Sequence, residues 1–296
     1  MGICVKVLFD TFSFKKKYVD LKMGVIGMSA YTFGFIGAGN MGSALARAAC
    51  RTLPAGEIIL SNRTAAKAEA LAGELGCAAG DNRTVAAEAA YIFLGVKPQM
   101  MAGLLSEIAP VLAERRDSFV LVTMAAGLTM ERIAAMAGGD YPVIRIMPNT
   151  PCAVGAGVVL YDANERVSEA ALEKFTAGMA GAGLLDRLEE RLIDAGSAVA
   201  GCGPAFLCLF LEGLADGGVA CGLPRQKALR YAAQMAAGTA QLMLETNQHP
   251  GAMKDAVCSP GGSTIAGVRA LERGGFRSAA MEAVIAALER NQELGK

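Results

Sequence analysis

The stretch Tyr31-Thr-Phe-Gly-Phe-Ile36-Gly37-Ala38-Gly39-Asn40-Met41-Gly42 decides the fold. Its first half is a short apolar run suited to a buried strand, and its second half fits G-x-G-x-x-G. Ser43 to Arg51 then reads as a helix. Strand, glycine turn and helix stand in the order a dinucleotide-binding βαβ unit requires. Gly37 permits the tight turn, Gly39 lets the backbone approach a pyrophosphate, and Gly42 lets the helix pack close to the strand. The helix N-terminus offers free N–H groups and a positive dipole end to phosphate, which places Gly37 to Gly42 at the cofactor. Glu57-Ile-Ile-Leu60 supplies the second strand on schedule.

The end of that strand discriminates between cofactors. A site preferring NAD places an acid there to hold the ribose 2′-hydroxyl. This chain has Ser61-Asn62-Arg63 instead. Arg63 can donate to a 2′-phosphate that a carboxylate would repel. NADPH is the expected cofactor, with NADH as the lesser one. Asn82, in the turn opened by Asp81, joins the cofactor set.

Three more apolar runs read as parallel strands: Tyr91–Val96, Phe119–Met124 and Val143–Met147. They end at Val96-Lys97-Pro98, at Ala125-Ala126-Gly127 and at Pro148-Asn149-Thr150-Pro151. Ligands bind at the carboxyl edge of such sheets, so these ends are expected to line the nicotinamide side. Two added strands are expected at Val158–Tyr161 and Leu184–Leu188, around a helix starting near Ser168.

Composition narrows the partners. Among 296 residues, 53% are hydrophobic, 36 are Gly and only 19% are charged. That excludes a disordered chain, which needs low hydrophobicity and excess charge. The 28 basic and 28 acidic residues balance, so no nucleic-acid partner is expected. Eight cysteines lie scattered without a C-x-x-C, which reads as free thiols in a reducing cytoplasm. One His and no close Cys pair leave no metal site to expect. That residue, His249, precedes Pro250 and reads as a surface or capping residue rather than part of a hydrolase triad. The apolar excess must be covered by a membrane or by a subunit interface.

From Asp194 onward the chain reads as helical. The uncharged run Ala195 to Leu211 spans 17 residues, the lower edge of a membrane span. Pro204 is placed to start a helix, and the helix expected over 205–219 carries Glu212 and Asp216. A membrane span is therefore rejected on length, and the interface is preferred. Leu223-Pro224 opens a further helix, to about Glu245. Ser259-Pro260-Gly261-Gly262-Ser263-Thr264 then precedes a helix over 265–272. Two glycines and two hydroxyl residues at a helix start make an anion site fit for a carboxylate or phosphate.

Residues 1–27 differ in character from the rest of the chain. Phe9, Phe12 and Phe14 precede Lys15-Lys16-Lys17, with no long apolar core and no Arg. This is neither a secretory signal nor a transit peptide. The segment is expected to be a disordered extension, or sequence upstream of a start at Met28 or Met23.

The chain resembles the pyrroline-5-carboxylate reductases. The resemblance rests on Gly37-x-Gly39-Asn-Met-Gly42, Gly95-Val-Lys-Pro98, Ala125-Ala-Gly127, Arg145-x-Met-Pro-Asn-Thr-Pro151 and Gly201-x-Gly-Pro-Ala-Phe206. Asp216-Gly-Gly, Gly222-Leu-Pro-Arg225, His249-Pro250, Lys254-Asp255 and Ser259-Pro-Gly-Gly262 continue it in order, from about residue 31 to the end. The resemblance implies reduction of the cyclic imine 1-pyrroline-5-carboxylate to L-proline with NAD(P)H, the last step of proline synthesis. It assigns Ser259, Gly261, Gly262 and Ser263 to the substrate carboxylate and Thr264 to the ring nitrogen as the catalytic contact. It also implies a homodimer through the helical half, and decamers built from it. Ala200, Cys202 and Phe206 depart from the family's usual Ser, Ser and Tyr, so no hydroxyl is available there.

The expected architecture is α/β plus all-α. A Rossmann-type NADP-binding domain covers 28–190, and a helical dimerisation and substrate-binding domain covers 191–296. Two other readings compete. A β-hydroxyacid dehydrogenase needs a catalytic Lys on the helix after the nucleotide domain, and Ala195 to Leu223 contains none. A non-catalytic NADP-binding sensor would leave the Ser259–Thr264 loop without a purpose.

Overall fold

The structure, a computed structural model, describes residues 29–294. The expected extension and the start at Met28 lie outside the described residues. Eight strands form one sheet: β1 (Tyr31–Ile36), β2 (Ile58–Ser61), β3 (Ala78–Ala79), β4 (Ala89–Leu94), β5 (Val120–Thr123), β6 (Val143–Pro148), β7 (Gly157–Ala163) and β8 (Gly183–Arg187). Their order is β3-β2-β1-β4-β5-β6-β7-β8. The first six are parallel, while β7 runs antiparallel to β6 and β8 parallel to β7. The order reverses between β1 and β4, which opens a crevice at their carboxyl ends.

Helices cover both faces: α1 (Asn40–Ala49), α2 (Ala65–Leu75), α3 (Asn82–Glu88), α4 (Pro98–Glu114), α5 (Met130–Ala137) and α6 (Glu169–Met179). The two-residue side-chain alternation of the strands divides the core. Phe33, Phe35, Tyr91, Phe93 and Phe175 pack on the face of α1, α2 and α6. Ile59, Ile92, Leu94 and Leu121 pack on the face of α3, α4 and α5. Arg115 closes the foot of the second face. It is almost fully buried, donates to the Ala86 and Ala89 carbonyls, and pairs with Asp117 at 2.5 Å.

The second half is α7 (Glu190–Ala200), α8 (Gly203–Ala220), α9 (Arg225–Thr246), α10 (Pro250–Ala256), α11 (Ser263–Arg273) and α12 (Phe276–Leu294). Helix α7 sits on the sheet. Its Ile193 packs with Met147 and Leu160, and its Asp194 meets the buried Arg145 of β6 at 2.6 Å. Beyond α7 the only buried side chains among the described residues are Ala215, Ala228 and Ala232. Leu209, Leu244 and Met281 are more than half exposed on this single chain.

The structure corrects one expectation. Gly201 and Cys202 keep right-handed helical angles, so α7 and α8 make a nearly continuous helix over Glu190–Ala220. These 31 residues, whose most apolar 18-residue stretch has a mean hydropathy of 1.7, are long and apolar enough to cross a bilayer. Pro204 does not break the run, because in the first turn of α8 its missing N–H costs nothing. Length therefore cannot reject a membrane span. The packing of Ile193 and Ala198 inside the protein bears on the question instead.

Candidate active site

The glycine turn is built by three strand ends. Gly37 N–H donates to Ser61 O at 2.8 Å, and Gly95 N–H donates to Ile36 O at 2.7 Å. Gly37 has φ +110°, and a Cβ there would lie 2.4 Å from Gly95 O. A Cβ on Gly42 would lie 1.9 Å from Gly37 O, so α1 seats only with glycine at that point. At Gly39 a Cβ would meet nothing within 4 Å, which leaves the backbone open to a ligand. No side chain caps α1, so its first-turn amides stay available for an anion.

A cavity of about 670 Å³ lies over this turn. Asn62, Arg63, Thr64 and Lys67 line it on one side, and Val96, Lys97, Met100, Gly103, Leu104 and Glu107 on another. Gly37, Ala38, Gly39 and Asn82 complete the expected residues that the cavity collects. The cations Arg63, Lys67 and Lys97 suit a phosphate-bearing ligand. Lys67 and the α4 residues were missed by sequence reasoning. Met100, Gly103, Leu104 and Glu107 fall at i, i+3, i+4 and i+7, and that spacing was the available signal.

Several expected contacts have other partners. The Asn62 side chain accepts from Ala38 N–H at 3.1 Å and donates to Thr64 O at 3.1 Å, so it shapes the turn. Ser61 is buried and donates to Asn82 Oδ1 at 2.9 Å. Asn82 Nδ2 donates to both Glu107 oxygens, at 3.0 and 3.2 Å. Asp81 caps α3 through the Thr84 amide, which holds its carboxyl below the usual range. Asn40, Met41, Gly42, Ser61, Pro98, Ala125, Ala126 and Gly127 do not line the cavity. The Ala125 side chain is buried in the core, leaving only its backbone to face a ligand.

The second loop lies in the helical half. Gly262 N–H donates to Ser259 O at 3.0 Å, with Pro260 next and Gly261 at φ +69°. Pro followed by a left-handed Gly is a type II turn. The Gly262 amide is thus committed within the turn. The unpaired amides at this helix start belong to Ser263, Thr264 and Ile265, the first three residues of α11. All three are exposed. No residue from 259 to 264 lines the cavity over Gly37. His249 caps α10, its Nδ1 accepting from Gly251 N–H at 3.1 Å.

Residues 190–294 match a family model described as pyrroline-5-carboxylate reductase dimerisation. The pyrroline-5-carboxylate reductase of Escherichia coli (strain K12) is 40% identical over 267 residues, covering 89% of this chain and 98% of that protein. The chain belongs to the pyrroline-5-carboxylate reductase family. The enzyme of that name from Glycine max is 39% identical over 276 residues, covering 91% and 98%. Residues 32–127 match a model described as NADP oxidoreductase, coenzyme F420-dependent. The Plasmodium falciparum pyrroline carboxylate reductase structure, with NADP bound, superposes with a TM-score of 0.81 at 30% identity, covering 91% of this chain and all of that one. The Streptococcus pyogenes 1-pyrroline-5-carboxylate reductase gives 0.80 at 28% identity, covering 90% and 99%. This member of the pyrroline-5-carboxylate reductase family is an NAD(P)-dependent oxidoreductase that oligomerises through its helical half. Its open glycine turn, cation-lined cavity and lack of an acid after β2 fit NADP.

Proposed function

We propose that the protein reduces 1-pyrroline-5-carboxylate to L-proline, with NADPH preferred over NADH. The observation that carries the cofactor preference is Arg63, just past the end of β2 where an NAD site would hold an acid, joined in the same cavity by Lys67 from the first turn of α2. The substrate follows from family membership together with the anion-binding start of α11. Residues 28–190 serve as the nucleotide domain and 191–296 as the dimerisation and substrate domain. Cytoplasmic residence is read from the scattered cysteines of the sequence, which contain no C-x-x-C.

The bound cofactor supplies the hydride; the chain supplies orientation. Gly37, Gly39 and the amides of α1 fix the pyrophosphate, and Arg63 with Lys67 holds the 2′-phosphate. Donors among Ser259, Gly261 and Ser263 grip the substrate carboxylate. Thr264 steadies the ring nitrogen as it passes from iminium to amine. A protonated imine is already electrophilic, so no strong general acid is required.

The exposed Ser259–Thr264 loop and the cavity over Gly37 are brought together by a partner protomer. Homodimers formed through α8, α9, α11 and α12 cover the apolar side chains a single chain leaves in water, and decamers are the next level of assembly. The test is NADPH oxidation with 1-pyrroline-5-carboxylate, run beside NADP⁺ reduction with 3-hydroxyacids and controls without substrate. Turnover is expected with the imine alone, and turnover with a 3-hydroxyacid would overturn the reading.

A further inference from the structure

Glu107 is the one carboxylate, among the described residues, lining a cavity otherwise furnished with Arg63, Lys67 and Lys97. A carboxylate is out of place in a pure phosphate cradle, since it repels the anion. Among the described residues it forms no ion pair with those cations. It is held instead by Asn82, which donates to both of its oxygens, and Asn82 is oriented in turn by the buried Ser61 hydroxyl. Residues from β2, α3 and α4 thus fix one acceptor in place.

The neighbours of Glu107 on α4 are apolar. Met100 and Leu104 flank Gly103, where a Cβ would meet nothing within 4 Å, so the helix presents a flat apolar strip there. With the pyrophosphate at Gly39 and the 2′-phosphate at Arg63, the adenosine end falls between the β2 end and α4. A flat apolar strip closed by a hydrogen-bond acceptor suits a planar base with an exocyclic amine.

We propose that Glu107 accepts a hydrogen bond from the 6-amino group of the cofactor's adenine, making the enzyme selective for adenine over 6-oxopurine dinucleotides. The proposal rests on the reading of Gly39 and Arg63 as the phosphate contacts. Each Glu107 oxygen keeps lone pairs after accepting from Asn82. A 6-oxo group would instead set two acceptors against each other.

The experiment is calorimetric titration of the full-length protein with NADP⁺ and with its hypoxanthine analogue, without substrate. Wild type should bind the adenine form about three- to tenfold more tightly, the range for one partly solvated hydrogen bond. In Glu107→Gln the side-chain amide can donate to a 6-oxo group, so the preference should fall to parity or reverse. Equal binding of both dinucleotides by wild type, or an unchanged ratio in Glu107→Gln, would overturn the proposal. Arg63→Ala, titrated with NADP⁺ and NAD⁺, separates the two levels. If its NADP⁺/NAD⁺ ratio falls while the Glu107→Gln ratio stays fixed, only the adenine contact is lost. If the Arg63→Ala ratio is unchanged, the cofactor placement fails and the proposal falls with it.

Discussion

Single residues carry the chemistry, and one of them separates binding from turnover. Thr264 touches the reacting ring in the proposed mechanism but lies outside the nucleotide cavity. Thr264→Ala should lower kcat about 10- to 100-fold, as for loss of one charge-assisted hydrogen bond, and leave NADP⁺ affinity intact. Steady-state kinetics beside calorimetry checks both halves. Asp117 offers a pH signature remote from the site. The Arg115 guanidinium, then the Ser29 hydroxyl, hold its carboxyl below the ordinary range, against a desolvation that pushes upward. A lowered folded-state pKa gives stability that is full above the unfolded value and is lost as pH falls through the folded one. Asp117→Asn should therefore cost about 1.5–3 kcal/mol at pH 5–7, shrinking below about pH 4. Urea unfolding at several pH values reads this directly.

Elements differ in how plainly their sequences announce them. The run from Tyr31 to Gly42 was legible because local rules govern it: an apolar strand, a turn only glycine can make and a helix start. Strand β3 was not, since Ala78–Ala79 has no pattern of its own and pairs only because β2 offers an edge. Helices α3 and α10, seven residues each, are too short for periodicity to register. The continuity of α7 into α8 was hidden by Pro204, whose effect depends on its place in the turn. Within the site, the Arg63 cation was legible from its position after β2. The Ser61–Asn82–Glu107 chain was not, because it joins three elements that meet only in the folded sheet. The Arg145–Asp194 pair is of this second kind, and it anchors the first helix of the second half to β6. Among the described residues, Asp194→Ala leaves a guanidinium that is 2% exposed with only Glu190, at 3.6 Å. The loss should be about 3–5 kcal/mol, measured by urea unfolding.

At the scale of the whole molecule, the apolar excess in the composition has a location. The nucleotide half closes two cores around its sheet, whereas among the described residues α8 to α12 bury only alanines on their own. A fragment of residues 190–294 should therefore associate or fail to fold. Its elution as a folded monomer in size-exclusion chromatography with light scattering would contradict this. The separation of the Ser259–Thr264 loop from its own chain's cavity reaches as far as heredity. If each working site draws its halves from two chains, two defective alleles can rescue one another. Arg63→Ala and Thr264→Ala subunits, each poor at limiting NADPH, should regain activity when co-expressed. Random pairing into symmetric dimers leaves about a quarter of sites intact. A site contained in one chain would give no such rescue.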